Sequence, residues 1–450
     1  MKVSVLDFGA KATLDSLQTE AFQKAIDTVF LAGGGEVRVP KGNYLLGDIR
    51  LRSNMTLYLE KDAVLYGSMD PKEYYHFRED KIEPIPKEWL YYGPILPSKQ
   101  RLECGSQDSV YLPGNNWNYG LIRIISAENV RIIGEEGSGI NGQNCYDENG
   151  EEHYRGPHGV NAQHSRNLYF SGYTAKDTGN WAHCNFSCES IVFDNVTVLG
   201  GHDGYHFRGC RNVEVRNCYA RTGDDTVAGF DNINAYIHDC DFSSACSVFR
   251  FGGTNILIKN VKAKGPCEYP FRGSLTPEEK AASVADSPTS RKNCVSFLTY
   301  FIDRSRTVQV EPDNIIVKNC ELDNVDRLVR INLSGMETWQ QGSPAGRYLF
   351  ENVTVKDCNL HMLAYGDGSV PFKMDFKNCS FRMKDGSSST ALMHAGNHGE
   401  ISFEQVTIEN LKGDTIVRTW GDPDLISCDE VTVDSEEIAV AKKADFDFKG

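Results

Sequence analysis

Three aspartates in two short runs are the residues of this chain best suited to acid–base chemistry. The run Gly-His-Asp-Gly-Tyr at 201–205 contains Asp203, and the run Arg-Thr-Gly-Asp-Asp at 221–225 contains Asp224 and Asp225. Carboxylates held close together repel one another, so at least one pKa rises and a proton is retained near neutral pH. Such a proton allows a general acid to assist the departure of a sugar oxygen. The pattern therefore predicts cleavage of a glycosidic bond.

The interval between the two runs indicates how they come together. Asp203 and Asp224 are 21 residues apart, and strand-like runs recur along the chain at nearly the same interval. Each run starts with Asn, continues with alternating apolar residues and ends with Asn or Asp followed by Cys or Val. The clearest copies begin at Asn212, Asn234, Asn255, Asn314 and Asn352. A repeat of this length without helical periodicity predicts stacked coils, with Asp203 and Asp224 on neighbouring coils.

The elements that position the aspartates follow from this repeat. One coil cannot bury its apolar face alone, so strands of successive coils stack into parallel sheets, with strands about 4.8 Å apart. The predicted fold class is all-β, a right-handed parallel β-helix that forms a single domain over residues 1–450. Segments 73–118 and 265–292 interrupt the period and are expected to be inserted loops.

An N-terminal helix is expected to cover the open end of the first coil. The run Ser16–Leu31 has apolar residues at helical spacing, and three glycines at 33–35 end it. A cap of this kind protects a solenoid against edge-to-edge aggregation. The expected apolar face consists of Leu17, Phe22, Ala25, Ile26 and Phe30.

The cysteines follow the same repeat. The chain has 14 of them, and several end a strand-like run at one phase. Recurrence at one phase predicts buried, stacked positions, where a reduced thiol acts as a small apolar side chain. No pair has the spacing of a zinc site, so no metal is expected there. The cysteines in this phase are Cys218, Cys240, Cys320, Cys358 and Cys379.

Charge and hydropathy exclude several function classes. The formal net charge is −15, so the chain has no basic field to hold nucleic acid or an anionic membrane. No apolar run reaches the roughly 18 residues of a membrane span, and the first residues carry no export signal. We therefore expect a cytoplasmic protein without a nucleic-acid or membrane partner. Its oligomeric state is not indicated.

The aspartate runs resemble two motifs of a known enzyme family. His-Asp-Gly and Thr-Gly-Asp-Asp, one coil apart, are similar to the Asn-Thr-Asp-Gly and Gly-Asp-Asp motifs of glycoside hydrolase family 28, the polygalacturonases. The runs at 7–11, 33–44 and 140–143 resemble that family as well. The resemblance implies inverting hydrolysis of a pectin-like oligosaccharide or polysaccharide, with Asp224 as the acid and Asp203 and Asp225 activating water. We expect no cofactor and no metal at this site.

The backbone at Gly223 is expected to decide the geometry of the three acids. Consecutive residues of a strand point to opposite faces, so Asp224 and Asp225 share a cleft only if the chain bends, which Gly223 permits. Direct stacking would separate the carboxyls of neighbouring coils by about 5 Å, the distance of retaining enzymes, whereas inverting enzymes have roughly 6.5–9.5 Å.

Two further motifs of the family are altered in this chain. The third, Gly-His-Gly, falls one coil after Asp225, where Ser247 stands nearest the histidine and Arg250 could face the cleft. The fourth, Arg-Ile-Lys, is Arg330-Ile331-Asn332 here, so the lysine that binds a carboxylate is absent. Arg330 can still hold an acidic sugar through a bidentate contact. Galacturonate, another uronate, and a neutral or deoxy sugar therefore all stay open as substrates.

Histidines and aromatic residues complete the predicted substrate contacts. His183 lies one coil before Asp203 and follows Trp181, while His202 and His206 flank Asp203. Aromatic rings in the first inserted segment either line a sugar pocket or anchor that segment, and a segment that closed the groove would make the enzyme exo-acting. The predicted contacts are His183, His202, His206, Ser247, Arg250, Arg330 and Asn332. The aromatic residues are Tyr74, Tyr75, Trp89, Tyr91, Tyr92, Trp117 and Tyr119.

Other interpretations of the same residues stay open. The aspartates could cap turns of the solenoid or bind calcium through their hard oxygen atoms. With calcium, Arg250 or Arg330 could remove a proton, as in a uronate lyase or epimerase. A non-catalytic carbohydrate-binding β-helix would use the same surface without turnover.

Overall fold

The computed structural model describes residues 1–78, 119–300, 310–332, 345–366, 371–434 and 438–444. Within these ranges the chain has 34 strands and two α-helices, and its paired strands run parallel. The predicted parallel β-helix is confirmed as the fold class. The chain forms two compact units, Met1–Asp224 with Tyr269–Arg291, and Asp225–Glu268 with Lys292–Gly450. The single-domain organisation stays a prediction.

The first unit contains the strands β1 to β18. They lie, in chain order, at Lys2–Ser4, Gly35–Val39, Gly42–Leu46, Ile49–Leu51, Met55–Leu59, Ala63–Gly67, Gly120–Ile125, Glu128–Gly134, Gly139–Asn141, His158–Gln163, Arg166–Ser171, Thr174–Lys176, His183–Phe186, Glu189–Asp194, Thr197–Gly200, Tyr205–Arg208, Arg211–Arg216 and Tyr219–Thr222. Three strands make one coil, and from β2 to β15 each strand pairs with the strand three places on. His183 pairs with Tyr205 and Thr197 with Tyr219, an offset of 22 residues, which confirms the predicted coil length.

The predicted capping helix is present as α1, Thr19–Leu31. It packs on β1, β2 and β4 at the start of the first unit. Its buried face consists of Phe22, Ala25, Ile26 and Val29. The predicted face was wrong at two positions, since Leu17 precedes the helix and Phe30 lies on its outer side, and both are exposed. Val29, rather than Phe30, completes the apolar stripe at helical spacing.

The second unit contains the strands β19 to β34. They lie at Val227–Ser244, Ser247–Lys264, Ser296–Tyr300, Asp313–Asp323, Val329–Asn332, Arg347–Cys358, Met362–Tyr365, Phe372–Lys377, Ser380–Met383, Ala391–Gly396, His398–Glu404, Thr407–Glu409, Thr415–Trp420, Ile426–Asp429, Thr432–Val433 and Ala439–Lys443. β19 and β20 each run through two corners without a break, and Ala235 pairs with Ile256, an offset of 21 residues.

Asparagine ladders mark the corners of the coils in both units. In the first unit the Nδ2 of Asn129 donates to Asn54 Oδ1 at 2.7 Å, and Asn167 donates to Asn129 at 3.0 Å. Asn129 has a φ of 57°, the left-handed conformation that Asn tolerates better than most residues. The starting Asn of the repeat is therefore both a turn residue and a link between coils.

Two parallel ladders run through the second unit, and they correct one alignment of the repeat. Asn314 donates to Asn255 at 3.0 Å, as the repeat predicts. The repeat aligns Asn352 with Asn255 and Asn314, but Asn352 donates to Asn319 at 2.9 Å, in the neighbouring ladder. Both ladders contain Asn residues with positive φ, so the local sequence is the same at either corner.

The interior of each unit is apolar and carries the predicted cysteines. Cys218, Cys240, Cys320, Cys358 and Cys379 are all buried. No disulfide bond links the described cysteines. Aromatic rings stack along the coils, with centroids 4.6 Å apart for Phe170 and Phe193 in the first unit and 4.9 Å for Phe350 and Phe376 in the second. The predicted core role of the cysteines is confirmed.

Short helices lie outside the coils. The 3-10 helices are Val5–Phe8, Pro71–Arg78, Glu151–His153, Arg272–Ser274 and Pro423–Leu425, and the second α-helix, α2, is Pro277–Ala281. Most of the first inserted segment, 79–118, lies outside the described residues. In the second, 269–291 belongs to the first unit. In the described part of the chain, no helix has the length and apolar character needed to span a bilayer.

Candidate active site

Asp203 lies in the turn between β15 and β16 of the first unit. Its carboxylate accepts a hydrogen bond from His206 Nδ1 at 2.9 Å, and its backbone oxygen accepts one from the amide of Ala182 at 2.9 Å. The ring of Trp181 stacks on His206 with centroids 3.7 Å apart and an interplanar angle of 4°. Trp181 therefore fixes the imidazole, and the imidazole orients Asp203. His206 was predicted to contact substrate, whereas the structure shows it buried as the partner of Asp203.

His183 is a core residue in this structure, contrary to the predicted sugar contact. It is 0% exposed, and its Nε2 lies 2.8 Å from the hydroxyl of Tyr173. Its ring packs among Phe193 and Tyr205 in the coil interior. Burial lowers its pKa to about 3, so it stays neutral. Side chains alternate between the two faces of a strand, and His183 points inward.

Asp224 follows β18 and is held by an arginine that the repeat did not reveal. Arg155 Nη2 donates to Asp224 Oδ2 at 3.2 Å, and Arg155 Nη1 donates to His202 Nδ1 at 3.0 Å. Because His202 precedes Asp203, one guanidinium joins the turns that carry both aspartates. The side chain of Arg155 is 5% exposed, whereas that of Asp224 is 13% exposed. Asp224 is therefore the more accessible end of this contact.

Arg155 comes from the segment between β9 and β10, which departs from the coil path. Tyr146 and Arg155 form an isolated antiparallel bridge, and the hydroxyl of Tyr119 donates to the backbone oxygen of Arg155 at 3.1 Å. Tyr119 and Tyr74 are fully buried, so both anchor their segments and do not line a pocket. The other aromatic residues predicted for the first insert lie outside the described residues or have undescribed side chains.

Two glutamates share Arg155 with Asp224. Arg155 Nε lies 3.0 Å from Glu152 Oε2 and 3.8 Å from Glu151 Oε2. Burial raises the pKa of Glu151 to about 7, although Arg155 and a hydrogen bond from Asn180 oppose this rise. Burial also disfavours ionisation of Glu152, but Arg155 outweighs it and lowers the pKa of that carboxyl. The cluster therefore keeps a proton on Glu151 up to near-neutral pH.

His202 presents one defined tautomer. Arginine only donates, so the Nδ1 of His202 accepts the hydrogen bond from Arg155 and the proton lies on Nε2. Burial, followed by the charge of Arg155, lowers the pKa of His202 well below its ordinary value. Among the described residues, Nε2 has no hydrogen-bond partner. His202 is thus a neutral and buried residue beside Asp203, and its predicted substrate contact stays a prediction.

The second inserted segment sits on the glycines of both aspartate runs. A Cβ at Gly201 would lie 2.2 Å from Arg272 Cγ, and a Cβ at Gly223 would lie 1.7 Å from the backbone oxygen of Pro270. Gly223 was expected to allow a bend through its conformational freedom, but it is not among the residues with positive φ. Glycine is needed at position 223 because the insert passes directly over it and leaves no space for a side chain.

Asp225 opens the second unit and is held there by the residues that replace the third family motif. The amide of Ser247 donates to Asp225 Oδ1 at 3.1 Å, and Arg250 Nε contacts Oδ2 at 2.5 Å. Ser247 is buried, and its hydroxyl bonds to Thr299 Oγ1 at 3.2 Å. Both residues were predicted to contact substrate. The structure shows that Ser247 does not reach a surface and that Arg250 holds Asp225.

Arg330 and Asn332 lie on β23, further along the same sheet. Thr299 pairs with both Arg250 and Arg330, so the two arginines occupy one column, two strands apart. Arg330 is half-buried. Asn332 pairs with Tyr365, and its side chain lies outside what the structure describes. The sugar contacts predicted for these two residues stay predictions.

Sequence comparisons agree with the resemblance drawn from the motifs. Residues 89–265, which include all three aspartates, match the family model described as glycosyl hydrolases family 28. A "probable polygalacturonase" of Vitis vinifera is 28% identical over 233 residues, 50% of this chain and 43% of that protein. An "exo-poly-alpha-D-galacturonosidase" of Dickeya chrysanthemi is 22% identical over 263 residues, 50% of this chain and 41% of that protein. The chain thus matches less than half the length of these relatives, and the resemblance to the family is confirmed.

Solved structures share the fold. The family 28 exopolygalacturonase of Yersinia enterocolitica superimposes with a TM-score of 0.64 at 17% identity, covering 98% of this chain and 79% of that one. The exopolygalacturonase of Thermotoga maritima gives a TM-score of 0.54 at 16% identity, covering 96% and 91%. At these identities the likeness concerns the fold, which agrees with the parallel β-helix described above.

Proposed function

We propose that this protein is an inverting, exo-acting glycoside hydrolase of a pectin-like oligosaccharide. In this proposal Asp224 protonates the glycosidic oxygen, while Asp203 and Asp225 activate the attacking water. The observation that carries it is the link through Arg155, which joins the Asp224 carboxylate to the turn that carries Asp203. The family match over 89–265 and the names of the two relatives support the same chemistry.

The charges around Asp224 support the acid step. Asp224, Glu151 and Glu152 share the single charge of Arg155. When all three are ionised the group carries a net negative charge, which favours retention of one proton, and burial raises the pKa of Glu151 to about 7. In the proposed acid step a proton of this group passes from Glu151 to Asp224, and Asp224 delivers it to the departing sugar oxygen.

The second insert supports attack at chain ends. Its residues Pro270 and Arg272 lie directly on Gly223 and Gly201, beside the two aspartates of the first unit. A polymer that passed the aspartates in that direction would meet this segment. We therefore propose that a terminal sugar enters, and that the rest of the chain extends away from the insert.

Substitution of the proposed acid tests the function. Asp224→Asn and Asp203→Asn should each lower kcat on oligogalacturonides by roughly 10²–10⁴. Asp194→Asn is the control, since Asp194 bonds to Arg216 on the outer face of the first unit, and it should leave kcat unchanged. Full activity in Asp224→Asn would contradict the acid assignment.

The products test the stereochemistry and the mode of attack. Proton NMR of the first product should show the anomer opposite to that of the substrate, and chromatography should show one short product from the earliest time point. A product that absorbs in the ultraviolet through a new double bond would indicate a lyase instead. Binding of many glycans with turnover of none would indicate a carbohydrate-binding protein.

A further inference from the structure

Two buried cysteines occupy the same corner of successive coils in the first unit. Cys188 directly precedes β14 and Cys210 directly precedes β17, and these strands pair in register from Glu189 and Arg211 onward. The amide of Arg211 donates to the backbone oxygen of Cys188 at 3.0 Å. The two cysteines therefore stack directly on each other, one strand spacing apart.

The corner has the same local geometry in both coils. Cys188 follows Ser187, which has a φ of 49°, and Cys210 follows Gly209, which has a φ of 60°. Each thiol donates to the backbone oxygen two residues earlier, at 3.3 Å for Cys188 and 3.5 Å for Cys210. The two sulfur atoms consequently lie on the same side of the corner, and the thiols form a hydrogen bond with each other.

The spacing of the two cysteines suits a disulfide bond. Neighbouring parallel strands lie about 4.8 Å apart, and a disulfide spans a Cα separation of about 4.4–6.8 Å. Cys320 and Cys379 in the second unit show the contrasting case, because Val353 pairs with Cys320 and separates it from Cys379 on the coil beyond. Two strand spacings, roughly 10 Å, exceed the reach of a disulfide.

The surroundings of the pair govern when it reacts. Burial, and then the hydrogen bond with Cys210, raise the pKa of the Cys188 thiol well above its ordinary value. Both side chains are buried. Because thiol–disulfide exchange begins with an accessible thiolate, the pair reacts slowly while the coil is closed and faster when this corner opens.

We propose that Cys188 and Cys210 form a redox-sensitive pair, which a low-molecular-weight disulfide such as glutathione disulfide converts into a disulfide bond between the two coils. One protein thiolate attacks the small disulfide and releases a first small thiol. The second protein thiolate attacks the mixed disulfide at the protein sulfur and releases another small thiol. Two protein thiols are thus oxidised, the small disulfide is reduced to two thiols, and both protons pass to the released sulfur atoms.

The bond closes a ring around the coil that carries Asp203. Residues 188–210 contain β14, β15, the turn with Asp203, and β16. A cross-link restricts the unfolded chain more than the folded chain, so the oxidised form holds this coil more firmly. The inference concerns the stability of the fold and is independent of the proposed hydrolase function.

Oxidation of the folded, full chain tests the proposal. The protein is incubated with glutathione disulfide, the free thiols are alkylated under denaturing conditions, and the peptides are mapped by mass spectrometry. A cross-link between Cys188 and Cys210 should accumulate, and Tm should rise by roughly 3–8 °C relative to protein kept in dithiothreitol. Urea below the unfolding transition should accelerate cross-linking, because exchange requires the corner to open.

Cys210→Ala and Cys320→Ala are matched variants, since each removes one buried thiol from the same type of corner. The Tm difference between oxidised and reduced protein should vanish in Cys210→Ala and persist in Cys320→Ala. This difference is measured within each variant, so a general loss of stability cancels.

Three outcomes would overturn the inference and leave the hydrolase proposal untouched. In the first, both thiols of wild-type protein stay reduced, or carry separate glutathione adducts, after prolonged incubation. In the second, the cross-link forms but Tm does not rise. In the third, Cys188 is linked to Cys184 in place of Cys210, which would contradict the argument from stacking.

Discussion

At the scale of single residues, the first-unit site depends on the hydrogen bonds that the guanidinium of Arg155 donates to several neighbours. Arg155 contacts Asp224, Glu152, His202 and Asn180, and each contact uses a donor of the planar fork. Lysine offers a point charge and cannot make these contacts simultaneously. Arg155 is thus a positioning residue that acts through Asp224 and His202.

Replacement of Arg155 tests this role. Arg155→Gln should lower kcat/KM about 100-fold, because Asp224 loses its partner and the tautomer of His202 is no longer fixed. Arg155 also opposes the rise in the pKa of Glu151, so its loss should move the basic limb of the pH–rate profile to higher pH. Arg155→Lys should move that limb less. If an Arg155 variant lost activity while its pH–rate profile stayed unshifted, the role of Arg155 would be purely structural.

Glu151 should make the stability of the fold depend on pH. Its folded-state pKa of about 7 lies above its ordinary value of 4.5, so its stabilising contribution is complete below about pH 4.5 and is lost as pH rises through 7. The loss amounts to about 3 kcal/mol at most. Glu151→Gln should therefore flatten the decline of Tm between pH 4.5 and 8.

Glu135→Gln provides the matched control for that measurement. The hydrogen bond from Tyr58 lowers the pKa of Glu135, so its contribution is present at neutral pH and is lost as pH falls. In Glu135→Gln, Tm should therefore still decline above pH 4.5, as it does in the wild type. A Glu151→Gln curve parallel to that of the wild type would contradict the assignment of a raised pKa.

Residue types and spacing predicted Asp203 and Asp224 but could not predict their partners. Asp203 and Asp224 lie in the repeat, so their interval of 21 residues places them one coil apart. Arg155, the partner of Asp224, lies in a segment that leaves the repeat, where no register relates sequence to space. His183 has the correct interval, but inward and outward side chains of one strand share that interval, so the sequence could not exclude the core.

At the scale of elements, the corners of the coils combine a backbone conformation with a side-chain link. Asn129 is exposed, has a φ of 57°, and both donates and accepts in its ladder. The sequence repeat aligned Asn352 with Asn255 and Asn314, yet Asn352 belongs to the ladder of Asn319. Two corners with the same Asn-strand pattern cannot be distinguished without knowledge of the strand lengths between them.

Two substitutions at Asn129 separate the contribution of the left-handed backbone from that of the ladder hydrogen bonds. Asn129→Gly keeps the left-handed backbone accessible and loses the ladder hydrogen bonds, at a cost of about 1 kcal/mol. Asn129→Ala should cost roughly 1–2 kcal/mol more, since alanine resists positive φ. Chemical denaturation measures both values. Equal losses would show that the backbone conformation at this corner contributes nothing.

The contact between the second insert and the aspartate turns should be sensitive to one methyl group. Gly223→Ala places a carbon 1.7 Å from Pro270 O, so the insert must shift. We expect kcat/KM to fall about tenfold or more, and proteolysis within 269–291 to become faster. Gly9→Ala, whose added carbon meets nothing within 4 Å, should leave that proteolysis rate unchanged. An unchanged rate of proteolysis within 269–291 in Gly223→Ala would contradict this account.

At the scale of the whole molecule, the net charge of the chain has the same sign as that of the proposed substrate. The chain carries a formal charge of −15, and a polyuronate is also negative. Long-range repulsion slows encounter at low ionic strength and is screened within about 10 Å at 0.1 M salt. Added salt should therefore raise kcat/KM on long oligogalacturonides more than on the dimer. The opposite order would indicate that locally placed cations dominate the encounter.

Repetition also distributes stability along the chain. Each coil in a unit packs on its neighbours, so the free energy of unfolding is approximately a sum of coil and interface terms. Long inserts at corners, such as 269–291, change the loops without changing the strand register on either side. This explains how two motifs of the family can differ in this chain while the fold is retained.

The reduced cysteines have a practical consequence. They recur along both units, and burial raises the pKa of the Cys320 and Cys358 thiols to about 12. A thiol in that state reacts with alkylating reagents only when its coil opens. Mass spectrometry of progressively alkylated protein would thus record, rung by rung, the sequence in which the solenoid unravels, with no probe introduced into it.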